Sequence, residues 1–395
     1  MTNRREFLAQ TAVAGIAGGR ISMTESQLAG ATESGAASAS TPRDTALASK
    51  SLRILILGGT GFIGPHFVRA ALERGHHVAV FNRGKDRADL PETVEHLIGD
   101  RNGDLDAIKN RDWNAVFDTA AYIPLWVRTL GQALQGRVKH YTFISTQAVY
   151  QFPGAIDESS PVQKYTGTAD AYSAFPTPQY GPLKVLCEEE AERQFPGRTL
   201  VLRPAAMVGP RDPVGAFIYW PVRMQRGEEI LVAGDPLAPV QVADVRDLVE
   251  WAVRMAEKAE TGVFNAMGPA MPMGQAEMLG GIRAASSVPL TLTWVAVPWL
   301  VEQKLSPENN PLYWPTEIGL PGLWRLSNSR ACAKGLTFRP LSITVADALA
   351  WYQSQPVERQ KDLLLGLNGK SGIDDSMTRE REILAAWRSR KRQGA

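Results

Sequence analysis

Short apolar runs alternate with amphipathic segments along the first half of the chain. Segments 62–74 and 125–134 place apolar residues at the spacing of a helix that packs on one face. Compact apolar runs lie between such segments and predict six strands, at residues 52–57, 77–81, 96–98, 115–120, 140–145 and 198–203. Strands that alternate with helices predict a parallel sheet with helices on both faces. The expected fold class is therefore α/β, with a doubly wound parallel sheet.

A glycine-rich turn joins the first predicted strand to the first helix. The stretch LRILILGGTGFIG carries Gly58, Gly61 and Gly64 at intervals of three residues. Glycine suits a turn with an unusual φ angle, the close approach of a pyrophosphate, and tight packing of a helix on its strand. The start of the helix, with Phe62 and Ile63, favours an anion. These features predict a Rossmann-type nucleotide site; the alternative is a glycine-rich turn without a ligand.

The alternating pattern loosens after residue 209, where Pro, Trp and Gly become frequent. We expect short elements at 227–233, 244–258 and 262–267, and a charged amphipathic helix at 374–392. These segments predict a smaller C-terminal lobe that binds substrate. The expected domains are a nucleotide-binding domain at 51–208, a mainly substrate-binding lobe at 209–372 and a charged C-terminal helix at 373–395.

The first fifty residues form a separate region. The paired arginines Arg4 and Arg5 precede a Phe-Leu step and an Ala/Gly-rich apolar run that ends at Gly19. This order is typical of a twin-arginine export signal, and a disordered basic N-terminus is the alternative. We expect a signal peptide at 1–31, a flexible linker at 32–50, the export machinery as a partner, and a periplasmic or secreted protein. No other segment has the roughly 18 apolar residues of a membrane span, so no stable anchor is expected.

Composition narrows the class of protein without identifying a function. The chain has 395 residues, of which 44% are apolar and 21% charged, as in soluble globular proteins. Residues 379–395 carry six basic and two acidic side chains, which leaves a net charge of −2 on the remainder. No nucleic-acid partner is therefore expected. The two cysteines and five histidines have no spacing typical of a metal site, and we expect neither a metal nor a disulfide.

A tyrosine and a lysine four residues apart open a predicted helix that continues to about residue 195. Tyr180 and Lys184, in the sequence YGPLK, would lie one turn apart on one helical face. An ammonium beside a phenol lowers the pKa of the phenol, which makes tyrosine usable as an acid or base. Such pairs also occur by chance on helix surfaces, and the spacing alone favours that alternative.

The position of this pair in the predicted sheet favours chemistry. The fifth predicted strand ends at Ser145 and Thr146, which places two hydroxyls at the carboxyl edge of the sheet. Ligands bind at that edge in open parallel sheets. A hydroxyl there can hydrogen-bond a substrate oxygen that Tyr180 protonates.

Taken together, the motifs resemble those of the extended short-chain dehydrogenases/reductases, the NAD-dependent epimerase/dehydratase superfamily. They follow in family order: GGTGFIG at 58–64, STQAVY at 145–150, YGPLK at 180–184, LRPAAMVGP at 202–210 and VQVADVRDL at 240–248. The resemblance extends from residue 52 to about residue 355. The stretches FNRGK and GLTFRPLSITVADAL look most like the atypical members, which include a chloroplast stem-loop RNA-binding branch.

The resemblance implies the catalytic residues. Tyr180 would be the acid/base, and Lys184 would bind the nicotinamide ribose while tuning the tyrosine. Thr146 matches the family's catalytic Ser/Thr, and Ser145 is the neighbouring alternative.

The resemblance also implies a cofactor site. Asp100 and Arg101, just past the third strand, match the adenine-contacting position. Ala120 and Ala121 follow the fourth strand, where small residues permit close approach. The expected cofactor-binding residues are Gly58, Gly61, Phe62, Ile63, Gly64, Asn82, Arg83, Asp100, Arg101, Ala120, Ala121, Tyr180 and Lys184.

Two departures from the family pattern bear on the reaction and on the cofactor. Dehydratases carry an acidic pair after the strand-five threonine, and this chain has Gln147 and Ala148 there, which counts against dehydration. NAD-preferring members carry an acidic residue after strand two, where this chain has Asn82 and Arg83. Because an arginine suits a 2′-phosphate, we expect NADP, with NAD as the alternative. Arg83 could instead be a solvated surface side chain.

Arg211 and Arg223 are the candidate substrate-binding residues, suited to an anionic or polyhydroxylated ligand. Each could instead form an ordinary ion pair. The expected function is an NAD(P)-dependent epimerase or oxidoreductase that acts on a secondary alcohol or ketone, with a carbohydrate-derived substrate implied by resemblance. The alternatives are an NADPH-dependent ketone or aldehyde reductase and a non-catalytic nucleotide- or RNA-binding protein. A small molecule is the expected partner, and a homodimer stays open.

Overall fold

The computed structural model describes residues 47–85, 89–167, 179–305, 322–364 and 373–393. The export signal predicted at 1–31 and most of the predicted linker lie outside the described residues. Within the described ranges, every helix is too short or too polar to cross a membrane.

The central sheet comprises seven parallel strands within the described residues. They are β1 (Arg53–Leu57), β2 (His77–Asn82), β3 (Glu95–Ile98), β4 (Ala115–Asp118), β5 (Tyr141–Ile144), β6 (Thr199–Arg203) and β11 (Gly262–Asn265). Their order is β11-β6-β5-β4-β1-β2-β3. The order reverses between β1 and β4, and the crevice at the carboxyl ends of such strands is where open α/β sheets bind ligands.

Six further strands form three two-stranded sheets in the described part of the chain. They are β7 (Ala206–Val208) with β10 (Val242–Asp244), β8 (Glu228–Ala233) with β13 (Leu290–Val295), and β9 (Pro239–Val240) with β12 (Met273–Gly274). The helices are α1 (Gly64–Glu73), α2 (Asp106–Lys109), α3 (Pro124–Ala133), α4 (Tyr180–Gln194), α5 (Ala216–Met224), α6 (Val245–Glu257), α7 (Gln275–Arg283), α8 (Val297–Glu302), α9 (Ser329–Ala333), α10 (Leu341–Gln353), α11 (Val357–Leu363) and α12 (Ile373–Gln393).

Helices cover both faces of the central sheet, which explains why its strands are apolar at successive positions. In β1, Ile54 and Ile56 pack into one core with α1 and α6. Leu55 and Leu57, on the opposite face, pack into a second core with α3 and α4. The predicted fold class, a doubly wound parallel sheet of Rossmann type, is confirmed.

Two predicted strands are shorter in the structure because polar side chains redirect the backbone. The strand predicted at 115–120 ends at Asp118. The carboxylate of Asp118 accepts hydrogen bonds from the backbone amides of Ala120 and Ala121. The strand predicted at 140–145 ends at Ile144, and a short 3₁₀ helix follows at Gln147–Val149. Both changes place side chains at the carboxyl edge of the sheet.

The segments predicted for the C-terminal lobe divide between a separate lobe and the sheet layer. Its core joins α5, β8, β13, α7, α10 and α12. However, α6 packs against α1, and β11 pairs with β6, so part of the predicted interval 209–372 completes the sheet layer. The terminal helix, predicted at 374–392, is observed as α12 and buries Ile383 and Leu384 in the core of the lobe.

Candidate active site

The turn after β1 has no room for side chains at two of its glycines. Gly58 has a φ of +85°, and a Cβ there would lie 2.6 Å from Thr119 Oγ1 and 3.0 Å from Ala120 Cβ. A Cβ on Gly64 would lie 2.5 Å from the Cα of Gly59 and closer still to the carbonyl oxygen of Gly58. The turn is therefore held tightly between the start of α1 and the end of β4.

The start of α1 can receive an anion. Within the described part of the chain, no side chain caps this helix, and its first turn contains no acidic residue. The backbone amides of Phe62 and Ile63 form no hydrogen bond with any described residue. Free amides and the positive end of the helix dipole suit a phosphate. The turn and the helix start therefore fit the pyrophosphate of a dinucleotide.

Asp118 organises the end of β4 and has no solvent exposure. Its carboxylate accepts hydrogen bonds from the amides of Ala120 (3.1 Å) and Ala121 (3.0 Å) and from the Tyr141 hydroxyl (3.0 Å). It also pairs with Arg101, at 2.7 Å and 3.1 Å. Burial opposes the charged carboxylate, but Arg101 and these hydrogen bonds outweigh it and lower the pKa of Asp118. Sequence reasoning missed Asp118, although an acidic residue that ends an apolar strand was a usable signal.

Asp100 and Arg101 have partners within the protein, and their expected contact with adenine stays a prediction. The guanidinium of Arg101 turns to Asp118 and stacks over the Trp126 ring, 5.0 Å from its centroid. Asp100 Oδ1 closes a tight turn by accepting hydrogen bonds from the backbone and side-chain nitrogens of Asn102, both at 2.9 Å. Both side chains are therefore engaged within the protein.

Lys184 is buried and connects the ends of two strands. Its ammonium donates hydrogen bonds to the carbonyls of Ala121 (2.8 Å), after β4, and Ile144 (2.6 Å), at the end of β5. It also lies over the Phe143 ring, 4.1 Å from the centroid. Burial lowers its pKa from 10.5 to about 8. Two of its three hydrogens are used, which leaves one for a further acceptor.

Tyr180 is the first residue of α4, which packs against the turn that follows β5. A Cβ on the next residue, Gly181, would overlap the carbonyl oxygen of Ala148, so this contact requires glycine. Burial raises the pKa of the Tyr180 phenol. The expectation that Lys184 lowers this pKa is wrong here, because the ammonium of Lys184 turns to backbone carbonyls. The phenol is protonated at neutral pH and can serve as a proton donor.

Thr146 and Ser145 face different surroundings. Thr146 is half-buried, and its Oγ1 accepts a hydrogen bond from the Ala148 amide at 3.2 Å, which leaves its hydroxyl hydrogen able to donate. Ser145 is buried, and its hydroxyl donates to Glu188. Glu188 pairs with Arg203 at 2.6 Å. Ser145 is therefore committed to a buried polar network, and Thr146 is the one of these two hydroxyls that can still donate to a ligand.

Arg223 is a structural residue, and its expected role in substrate binding is wrong. Its guanidinium is 1% exposed and pairs with Glu380 of α12, with Nε at 2.7 Å. It also donates to the carbonyls of Gly227 (2.7 Å) and Glu229 (2.9 Å). Glu380 in turn accepts a hydrogen bond from the Leu231 amide at 2.8 Å. This ion pair joins the terminal helix to α5 and β8.

Arg211 keeps its place as a candidate for ligand binding. It is half-buried in the loop after β7 and has a φ of +72°, a strained conformation for a residue other than glycine. His66 Nε2 of α1 hydrogen-bonds the carbonyl of Pro210 at 2.9 Å, which fixes this loop beside the glycine turn. Burial and then the nearby charge of Arg69 lower the pKa of Arg211.

Asn82 and Arg83 stand at the carboxyl end of β2, next to the glycine turn. The amide of Gly58 donates to the carbonyl of Phe81 at 3.4 Å, which joins the two segments. Asn82 Oδ1 accepts a hydrogen bond from the Gly84 amide at 2.7 Å. The side chain of Arg83 is exposed. Its placement at this edge is compatible with contact to the adenosine end of a dinucleotide.

These observations define a doubly wound, Rossmann-type protein with tyrosine, lysine and threonine side chains at the carboxyl edge, beside a tight glycine turn. The chain belongs to the NAD dependent epimerase/dehydratase family, whose model matches residues 54–135 and 126–266, more than half of its length.

Individual relatives are distant. The chain is 27% identical over 248 residues to the chloroplast stem-loop binding protein of 41 kDa b from Arabidopsis thaliana, a match that spans 56% of this chain and 60% of that protein. It is 24% identical over 345 residues to a candidate dihydroflavonol 4-reductase from Synechocystis sp. That match spans 76% of this chain and 94% of that protein. The fold is similar to that of a UDP-glucuronic acid 4-epimerase from Bacillus cereus in complex with NAD (TM-score 0.55, 18% identity, 77% of this chain and 99% of that one).

Proposed function

We propose that this protein is an NAD(P)-dependent epimerase or oxidoreductase that acts on a secondary alcohol or ketone, with a carbohydrate-derived substrate. The observation that carries the proposal is that Lys184 binds the carbonyls of Ala121 and Ile144 at the carboxyl edge of the sheet, where the free amides after the Gly58 turn can hold a pyrophosphate. Thr146 follows β5 at the same edge, and Tyr180 opens the helix that carries Lys184. Similarity to sugar-nucleotide epimerase structures supports the choice of substrate class.

Three side chains have distinct proposed roles in the reaction. A bound nicotinamide supplies or accepts the hydride. Tyr180, protonated at neutral pH, donates its proton to a carbonyl oxygen, or takes the proton from a hydroxyl in the reverse direction. Thr146 can donate a hydrogen bond to the same oxygen and fix its position. The remaining hydrogen of Lys184 can bind a ribose hydroxyl. Gln147 and Ala148 supply no acid for the elimination of water, which disfavours dehydration.

The same site must also choose between NADP and NAD, and we propose NADP. Arg83→Ala should weaken NADP binding by about 1–3 kcal/mol, the range for a lost charge-assisted hydrogen bond, and spare NAD. Titration calorimetry with both nucleotides measures this. Lys85→Ala, an exposed cation in the same loop, is the matched control and should change neither affinity. Equal losses for both nucleotides in Arg83→Ala would mean that Arg83 does not contact a 2′-phosphate.

We also propose that the protein is exported by the twin-arginine route and that its reaction is redox-neutral overall. The order of Arg4, Arg5 and the following apolar run supports export. Outside the cytoplasm there is no obvious pool from which a dissociated nucleotide could be replaced. An epimerisation, or oxidation of one substrate coupled to reduction of another, consumes no external nucleotide.

Purification of the exported protein without added nucleotide tests this proposal. We expect nicotinamide nucleotide in the denatured supernatant, identified by mass and absorbance, and turnover in nucleotide-free buffer. A protein that emerges empty and works only with stoichiometric NADPH would support a plain ketone or aldehyde reductase, the role suggested by the Synechocystis relative.

A second class of function is binding of nucleotide or RNA without catalysis, which the stem-loop binding relative suggests. The presence of Tyr180, Lys184 and Thr146 favours catalysis, and the net charge of −2 outside the terminal segment disfavours RNA. Salt-dependent retention on immobilised RNA, without release of nicotinamide on denaturation, would reverse this preference.

Arg211 is proposed to contact an anionic part of the substrate.

A further inference from the structure

Asp118 is a fully buried carboxylate that takes no part in the proton transfer described above. We propose that Asp118, held by Arg101, is a positioning residue that keeps Lys184 in place and charged. This inference rests on the proposed function in one respect, namely that Lys184 binds the nucleotide.

The hydrogen bonds of Asp118 reach both strands that hold Lys184. On β4, its carboxylate binds the amides of Ala120 and Ala121 and so shapes the turn whose Ala121 carbonyl accepts a hydrogen bond from Lys184 at 2.8 Å. On β5, it binds the hydroxyl of Tyr141, three residues before Ile144, whose carbonyl is the second acceptor for Lys184 at 2.6 Å. One carboxylate therefore binds both the turn that carries the first acceptor and the strand that carries the second.

Arg101 keeps Asp118 in this geometry. The guanidinium contacts both carboxylate oxygens, and Trp126 lies over its plane. A two-point contact of this kind fixes the direction of a carboxylate as well as its charge. Without it, a buried Asp118 would take up a proton and lose its hold on the backbone amides.

The charges around Lys184 give the sign of the effect. Asp118 and Glu188 favour its ammonium, Arg101 opposes it, and Cys187 on the same helix has a pKa raised to about 12, so it is a neutral thiol. Loss of the Asp118 charge would remove one of the two carboxylates that favour the ammonium, while the opposing charge of Arg101 remains. The pKa of Lys184, about 8 in the intact protein, should then fall.

The first test follows the titration of Lys184 in the full chain without nucleotide. Protein labelled with ¹³C at the lysine ε-carbons is titrated by NMR, and Lys184→Arg assigns the signal. We expect a midpoint near pH 8 in the intact protein and a fall of about one unit or more in Asp118→Asn. Glu380→Gln is the matched control, since it also removes a buried carboxylate paired with arginine, and it should leave the midpoint unchanged.

The second test follows NADPH binding against pH. Affinity should weaken as Lys184 loses its proton, and in Asp118→Asn the weakening should begin about one pH unit lower than in the intact protein. Arg101→Lys keeps the positive charge but breaks the two-point contact with Asp118. It should shift both the Lys184 titration and the pH dependence of binding in the same direction as Asp118→Asn does. It replaces Asp118→Asn if the asparagine variant does not fold.

Each outcome decides one point. An unchanged Lys184 midpoint in folded Asp118→Asn, or in Arg101→Lys where that variant replaces it, overturns the inference. An equal shift in Glu380→Gln does the same, because the effect would then be general to buried ion pairs. An intact protein that binds no nicotinamide nucleotide, with the predicted NMR shift present, overturns the proposed function and leaves the positioning of Lys184 standing.

Discussion

Tyr180→Phe should fold, bind nucleotide as the intact protein does, and lose turnover by about 100-fold or more. The change removes only a hydroxyl from the first residue of α4, and the packing of Gly181 on Ala148 that seats the helix is untouched. Because burial keeps the phenol protonated, its loss removes the proton donor for a carbonyl oxygen. Rates are measured on a substrate found by screening alcohols and ketones, with nucleotide affinity measured separately.

Two further variants sharpen this prediction. Lys184→Met should reduce both nucleotide affinity and turnover, because it removes the cation between the Ala121 and Ile144 carbonyls. Tyr219→Phe is the matched control: its buried hydroxyl has no hydrogen-bond partner among the described residues, so its removal should leave turnover unchanged. Near-full activity in Tyr180→Phe on a true substrate would show that Tyr180 is not the acid/base.

The fold could be predicted because its signals are local and repeated. A strand covered on both faces must be apolar at successive positions, and the runs at β1, β2 and β6 meet that condition. The interleaving of the lobe was harder to foresee. The pairing of β11 with β6 joins residues about sixty positions apart, and no local pattern encodes such a pairing.

The candidate site could be predicted in part, and the errors arise where a side chain chooses between partners. Arg223 looked like a ligand for substrate because its partner, Glu380, lies 157 residues further along the chain. Spacing placed Lys184 on the same helical face as Tyr180, but the carbonyls that draw its ammonium away belong to β5 and to the turn after β4. Ser145 and Thr146 could not be ranked by geometry, because sequence does not show that Glu188 binds the serine.

Gly64→Ala should lose nucleotide binding although the substitution is the smallest one possible. The added carbon would lie 2.5 Å from backbone atoms of Gly59 and nearer to the Gly58 carbonyl oxygen. Backbone cannot rotate away as a side chain can, so either α1 or the turn must move. Movement of either would displace the free amides of Phe62 and Ile63 from the position in which they can hold a pyrophosphate.

Gly280→Ala in α7 is the matched control for Gly64→Ala, because a Cβ there meets nothing within 4 Å and alanine stabilises a helix by up to about 1 kcal/mol over glycine. Calorimetry should show nucleotide affinity unchanged in this control and lost in Gly64→Ala. Gly61→Val tests the ligand itself, since a branched side chain would occupy the place of the pyrophosphate. Retained affinity in a folded Gly61→Val protein would show that no pyrophosphate lies over Gly61. Retained affinity and stability in Gly64→Ala would show that the start of α1 tolerates a side chain at this position.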